Sequence, residues 1–511
     1  MQSGGTKMRK TAGYIGLDVG SSGCKGAVLD DKGNILTETR REYSFEYPAK
    51  GRVELNPVTV WNCVKEVLTE IAQETCDCEL RMIAVSSIGE SMVMVDEEDN
   101  VLYNGIIYLD ERGRETIQQV DKWIDIDEMH RITGLPPRMF YSLNRILWMQ
   151  KNEPQILEKA AHYFLFEDYI TYMLSGERMV SQSTASKTWL MDVKKLEWSE
   201  KIGRAFHIPL EHFSRIVQIG TIAGNIRPEL ALETGLPETL KVVVGCHDQC
   251  AATLGAGCTV GGDVAAGEGS TESLNLVVEQ DKLTDDFWNL DVCLEPYIVP
   301  GTYMVPVGQH THGTSLRWFA NQFAKDLKSV HLSSKSIYDM LNESCAEDTG
   351  EVFFLPYLTR ANLMDAENHS LGVFLGIEVG TTREILYRAL LEGVSFETRF
   401  CLEIMKASNL PVERLVAVGG CSKSDLFMQL KADILGCDVS ILKNTDAGIS
   451  ALAMICTVAD GVYSSYKEAA DQFISISKKH CARDSKRVGY DEKYKKYKII
   501  RETMKQLYTQ I

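Results

Sequence analysis

The sequence predicts an α/β protein made of two related domains. Three observations lead there. A chain of 511 residues is too long for one hydrophobic core. Apolar strands alternate with amphipathic helices along it. The order of elements in the second half also echoes that of the first.

The opening stretch "YIGLDVGSSGCKGAVLDDKGNIL", Tyr14 to Leu36, reads as a hairpin. Its strands are Tyr14–Leu17 and Lys25–Leu29, joined by small residues and followed by a second turn at Asp30–Asn34. In "NPVTVWNCVKEVLTEIAQE", Val60, Val64, Val67, Leu68 and Ile71 share one helical face behind the start signals Asn56 and Pro57. The strand "RMIAVSS" comes next, then "MVMVDEEDNVLYNGIIYLDERGRET", two apolar strands around the acidic turn Asp96–Asn100. Alternation continues to "LKVVVGCHDQ", Leu240 to Gln249. A second hairpin opens in "GGDVAAGEGSTESLNLVVEQD", with Gly267, Gly269, Ser270 and Thr271 at its turn. In "RLVAVGGCSKSDLFMQLKADILGCDVSIL" a strand, a Gly-Gly turn, a helix and a strand follow one another. That helix carries Leu426, Phe427, Leu430, Ile434 and Leu435 on one side, Ser424 as N-cap, Asp425 at its positive end and Gly436 as C-cap. The tyrosines of "YDEKYKKYKIIRETMKQLY" form the packing face of a terminal helix. The expected organisation is a flexible leader over 1–12, a first domain over 13–258, a second over 259–485 and a helical tail over 486–511.

A composition of 44% hydrophobic and 24% charged residues is that of an ordinary globular protein. The net charge of -17 argues against a nucleic-acid or anionic-membrane surface, which needs clustered Lys and Arg. An anionic nucleotide would then need local shielding by magnesium or backbone amides. The 14 cysteines lack paired C-x-x-C spacing even at Cys76–Cys78 and Cys246–Cys250, which speaks against zinc and for reduced thiols in the cytoplasm. Asp18 interrupts the early apolar run before a secretory or membrane segment can form.

Candidate chemistry clusters where apolar strands end, which is where α/β folds place ligands. Asp18 stands directly before the turn Gly20-Ser21-Ser22-Gly23. A turn without bulky side chains lets backbone N–H groups approach a phosphate, and a carboxylate beside it can hold the accompanying magnesium. Asp248 in "GCHDQ", the turn Gly269-Ser270-Thr271, and Gly419-Gly420 in "AVGGCSKS" occupy comparable places. An Asp after a buried strand is, in isolation, most often a turn former or helix cap. His247, next to Asp248 on an extended segment, is expected to point the other way and to be structural.

Together these segments resemble the FGGY carbohydrate kinases, relatives of xylulokinase and glycerol kinase in the actin-like, ribonuclease H-like ATPase superfamily. The likeness runs from Tyr14 to about Tyr463 through "IGLDVGSSGCKGAVLDDKGNIL", "EPQILEKAAHYFLFEDYITYMLSGE", "VVGCHDQCAATLGAG", "LEGVSFETR" and "VAVGGCSKSDLFMQLKADILGCDV" in the expected order. It implies two actin-like domains flanking a catalytic cleft, with sugar on the first and ATP on the second. It also implies Asp248 as catalytic base, Asp18 near Mg2+, and Gly20, Ser21 and Ser22 as a first phosphate loop. Gly269, Ser270 and Thr271 match a second such loop; Gly419, Gly420, Ser424 and Gly448 match the nucleotide cradle. Ala451 stands where the family often has Gly.

On the sugar side, Glu90 aligns where glycerol kinases carry Glu and xylulokinases His, and Gln249 follows the base as in glycerol kinases. Tyr108 stands where many relatives carry Trp, with Asp110 and Arg112 retained. A family tyrosine position falls on Phe140, with Tyr141 adjacent. The expected activity is ATP-dependent phosphorylation of a hydroxyl, of the primary kind, on a small ketose such as xylulose or a related sugar. The alternatives are a glycerol- or erythritol-type polyol kinase and, without catalysis, an actin-like sugar-sensing pseudokinase. The partners expected are a small sugar or polyol and a second copy in a homodimer, with neither nucleic acid nor membrane.

Overall fold

The structure, a computed structural model, describes residues 10–328, 335–359, 368–443 and 446–511, so residues 1–9 of the expected leader lie outside it. Contacts divide the chain into two compact units. One comprises Met1–Thr259, Cys293–Met304 and Asp446–Ile474; the other comprises Val260–Val292, Val305–Thr445 and Ser475–Ile511.

In the first unit, β1 (Thr11–Val19), β2 (Gly23–Leu29) and β3 (Ile35–Glu42) form an antiparallel meander. Strands β4 (Cys78–Ser87), β5 (Ile222–Asn225) and β6 (Lys241–His247) complete a sheet in the order β3-β2-β1-β4-β6-β5. The neighbours β1, β4 and β6 run parallel, so their carboxyl ends share one edge. The helix Pro57–Glu74 starts as the sequence predicts: the Asn56 side chain accepts from the N–H groups of Val58 and Thr59, and Pro57 opens the helix. Its residues Val60, Val64, Val67, Leu68 and Ile71 are buried in one core with Ile15, Leu17, Ile83 and Val85 from the sheet.

The helix Ala447–Ala459 comes late in the chain yet belongs to this first unit. Almost every side chain from Ala447 to Thr457 is buried, and the helix packs on β1 and on the helix Asp248–Gly255. A Cβ at Gly255 would lie 1.7 Å from the Ala447 carbonyl oxygen, so only glycine permits this approach. Tyr14 donates to Asp460 at 2.8 Å and Arg81 pairs with Asp460 at 2.6 Å, fixing the far end. The chain segments thus interleave between the units, which a division by sequence order does not anticipate.

The second unit repeats the strand plan. Strands β7 (Asp263–Glu268), β8 (Glu272–Glu279), β9 (Thr302–Gln309), β10 (Arg414–Val418), β11 (Val439–Leu442) and β12 (Ile476–His480) are six strands of a seven-stranded sheet and lie in the order β9-β8-β7-β10-β11-β12. Here β7, β10 and β11 run parallel. The helix Asp425–Leu435 has Ser424 as N-cap and Gly436 in the left-handed region as C-cap, as its sequence predicts. Tyr490, Tyr494 and Tyr497 of the helix Asp484–Tyr508 are buried, with the Tyr497 ring 5.0 Å from Phe396. Among the described residues no helix is long and apolar enough to cross a membrane.

Candidate active site

Strand register assembles the first half of the site. Asp18 on β1 lies beside Ser86 on β4, and Ser86 in turn lies beside Cys246 on β6. Ser86 Oγ donates to Asp18 Oδ1 at 2.6 Å, a contact the sequence reading did not single out. Asp248 follows one residue after β6 as the first residue of its helix. Burial raises the Asp18 carboxyl to about 6; the Ser86 bond opposes this, while the Asp248 and Asp446 carboxylates push further upward. Lys25, opposite Asp18 across the hairpin, is engaged by Asp446 and Glu38. Oxygen-only donors carrying excess negative charge suit a hard divalent cation.

Around them lie three of the sequence-predicted sugar residues. Tyr108 is half exposed, and its phenol is raised by burial first and then by the Glu90 and Asp248 carboxylates, with a Ser21 hydrogen bond opposing. Glu90 and Asp248 thus lie within electrostatic reach of Tyr108, and Ser21 within hydrogen-bonding reach. Gln249 is half-buried in the first helical turn beside Asp248. Gly20 closes its turn by donating to the Gly23 carbonyl at 3.0 Å, and Tyr43 donates to the Gly20 carbonyl at 2.6 Å. Ser22 is exposed at the tip.

Two expectations need correction. Asp110 does not join this group. It is fully buried, and its oxygens accept from the Val53 N–H at 2.6 Å, from the Arg112 N–H at 2.8 Å and from the Arg112 guanidinium at 2.6 and 2.9 Å. Burial would raise its carboxyl, but these donors hold it below the usual range, so Asp110 braces the wall instead of facing a ligand. His247, expected to point away from Asp248, has its Nε2 3.2 Å from Asp248 Oδ1. Strand alternation ends at His247 because Asp248 already begins a helix. Tyr141, next to Phe140, is also buried, with its hydroxyl 3.4 Å from Cys293 Sγ.

In the second unit a cavity of about 540 Å³ is lined by Gly269, Ser270, Tyr338, Asn342, Gly420 and Ser424, among others. The exposed turn Gly269-Ser270-Thr271 is anchored by the helix Gly313–Phe323, whose Gly313 and Thr314 N–H groups donate to the Gly269 and Ser270 carbonyls at 3.0 Å each. Gly419 has φ 115°, and a Cβ there would sit 2.8 Å from the Glu268 carbonyl oxygen. Open space surrounds Gly420. Ser424 caps its helix and accepts from Asn342 Nδ2 at 3.1 Å. Gly448 belongs to the helix Ala447–Ala459 of the first unit and is not among the residues that line this cavity.

Beneath that turn lies a fully buried charge cluster. Lys431 Nζ bridges Glu268 and Glu272, the residues on either side of Gly269–Thr271, at 2.5 Å from Glu272. His312 Nε2 lies 2.6 Å from Glu268, and Gln309 donates to Glu272 at 2.7 Å. The signal was present in the sequence as a lysine inside the apolar stripe of Phe427, Leu430 and Ile434.

The two large sheets share one plan, an antiparallel meander continued by parallel strands, which is the plan of the actin-like, ribonuclease H-like fold. Models of the FGGY family of carbohydrate kinases match the chain over residues 13–255 with the N-terminal domain and 270–459 with the C-terminal domain. The chain belongs to that family. Its kinases transfer a phosphoryl group to a carbohydrate hydroxyl, using ATP and a divalent metal. Xylulose kinase of Lactococcus lactis is 26% identical over 503 residues, covering 95% of this chain and 96% of its own. Gluconokinase of Bacillus licheniformis is 25% identical over 510 residues, with 98% of each chain covered. The crystal structure of xylulose kinase from Rhodospirillum rubrum superposes with a TM-score of 0.89 at 22% identity, covering 98% of this chain and all of that one.

Proposed function

We propose that the protein phosphorylates a hydroxyl, in particular a primary one, of a small ketose such as xylulose or a related sugar. The observation supporting this reading is the strand register that brings Asp18, through Ser86, level with Cys246, two residues before Asp248, in one unit, with Asp248 and Glu90 both within electrostatic reach of Tyr108. Asp248, partly exposed at the head of its helix, acts as base and takes the hydroxyl proton as the oxygen attacks the γ-phosphorus of ATP. Glu90 and Gln249 hold neighbouring hydroxyls, and the Tyr108 face packs on sugar C–H groups. Asp18, with Ser86 orienting it, is the residue to hold the divalent cation, Mg2+, which shields phosphate charge when bound. In the second unit, amides of the Gly269–Thr271 turn receive ATP phosphates and the cavity with Tyr338, Asn342 and Ser424 takes the nucleoside; in the first, which takes the sugar, the Gly20–Ser22 turn offers further amides suited to phosphate. Fourteen free cysteines suit a reducing cytoplasm, and a homodimer is the assembly we infer from the family.

Glu90 and Gln249 also favour a second reading, a glycerol- or erythritol-type polyol kinase. ADP release from MgATP against xylulose, glycerol, erythritol, gluconate and fuculose separates the two. The Asp248→Asn variant, folded as the wild type, is expected to lose turnover by about 10²–10⁴-fold. Near-normal turnover in that variant would remove Asp248 from the mechanism.

A further inference from the structure

Asp248 is the partly exposed end of a chain of charges that runs into the interior of the first unit. His247 Nε2 lies 3.2 Å from Asp248 Oδ1, and His247 Nδ1 lies 2.7 Å from Glu295 Oε1. Lys187 Nζ occupies the other Glu295 oxygen, Oε2, at 2.5 Å. Cys250 Sγ approaches Glu295 Oε1 at 3.3 Å, and the His247 backbone N–H donates to Ser183 Oγ at 3.1 Å. Glu295 is fully buried, and the Lys187 and His247 side chains are nearly so.

Nδ1 of His247 is hydrogen-bonded to Glu295 and Nε2 is at ion-pair distance from Asp248, and ionised carboxylates accept and cannot donate. Only the doubly protonated ring satisfies both. Burial lowers the affinity of His247 for its second proton, but the Glu295 and Asp248 carboxylates more than reverse this and its pKa is raised. Glu295 itself, despite burial, is held at about 2 by His247 and Lys187. The ring is therefore locked from behind, while Asp248 is a side chain that could otherwise rotate among several rotamers at the head of its helix. A metal ion is not needed to explain the His247, Cys250 and Glu295 grouping, since the Lys187 ammonium already supplies a cation there.

We propose that His247 is a positioning residue for Asp248: anchored by the Glu295–Lys187 pair, it donates to Asp248 Oδ1 and fixes the carboxylate so that its second oxygen meets the substrate hydroxyl. This rests on the assignment of Asp248 as the base. A bond to one oxygen leaves the other lone pairs for the proton, and offsets the repulsion between Asp248 and the nearby Asp18. Proton abstraction is sensitive to such placement, because misplacing a reacting group by about 1 Å can cost about 10²-fold in rate.

The test compares kcat and KM for His247→Asn, His247→Gln, His247→Ala and Asp248→Asn, with thermal melts on each. An Asn amide reaches only to the place of Nδ1, so it keeps the Glu295 bond and loses the one to Asp248; a Gln amide reaches the place of Nε2 and restores the donor to Asp248. The expected result is a fall of about 10–100-fold in kcat for His247→Asn with both KM values unchanged, and recovery of most of that loss in His247→Gln. Equal turnover in the Asn and Gln variants, while Asp248→Asn is inactive, overturns the positioning role alone. Turnover that survives Asp248→Asn removes the base assignment and the role of His247 with it. If His247→Ala does not fold, the Asn and Gln comparison decides between these outcomes.

Discussion

Replacing Lys431 by Met tests the buried cluster under the second phosphate turn. The methionine is close in volume, so the change removes chiefly charge. It leaves Glu268 and Glu272, both fully buried, with His312 as the remaining cation at Glu268 and Gln309 and Thr398 as neutral donors at Glu272. Removing one partner of a buried ion pair costs about 3–5 kcal/mol, because the other charge stays desolvated. Against a typical stability of about 5–15 kcal/mol this is a large share. It corresponds to a melting temperature lower by about 6–20 °C for a unit of this size. Adding Glu272→Gln to the variant removes one orphaned charge and should recover about 1–3 kcal/mol. The pH dependence supplies an internal check. Burial alone would raise Glu268, but Lys431 and His312 hold it at about 2, below its ordinary 4.5. In the wild type this contribution is complete above about 4.5 and is lost as pH falls toward 2. Without the ammonium the carboxylates take up protons more readily, so the gap between variant and wild type should narrow from pH 7 to pH 5. Urea unfolding followed by circular dichroism at both values measures it. A loss under about 1 kcal/mol, or a double variant no more stable than the single one, would refute the claim that Lys431 compensates two buried carboxylates.

Two more perturbations probe the first unit. Because Asp18 is raised to about 6, a divalent cation must displace its proton below that pH; Mn2+ affinity measured by calorimetry should fall about tenfold per pH unit there, with proton release on binding, and an affinity flat from pH 5 to 7 would contradict the assignment. Gly255→Ala places a methyl 1.7 Å from the Ala447 carbonyl oxygen and should destabilise by more than about 3 kcal/mol in thermal melts; a neutral substitution would mean the two helices can part at little cost.

What the sequence determined by itself was local and periodic. The caps at Asn56, Ser424 and Gly436, the stripe of the helix Pro57–Glu74, the two hairpins and the buried tyrosines of the last helix all follow from contacts within a few residues, where side-chain chemistry and backbone geometry are sufficient. Asp18 and Asp248 stood out as candidates because strand ends in a parallel sheet mark themselves by an apolar run stopping at a polar residue. Long-range pairing was not legible. Glu295 reaches His247 and Lys187 across 48 and 108 positions, and no periodicity links them. Asp110 looked like a ligand group because its type is right for one; only burial and the Arg112 guanidinium showed that its lone pairs are taken. The helix Ala447–Ala459 was placed by an apolar surface that is satisfied only against β1 and the helix Asp248–Gly255, far back in the chain. Hydrophobic pattern states that a face must be covered, and tertiary packing alone selects the partner, since burial is proportional to area and indifferent to sequence distance.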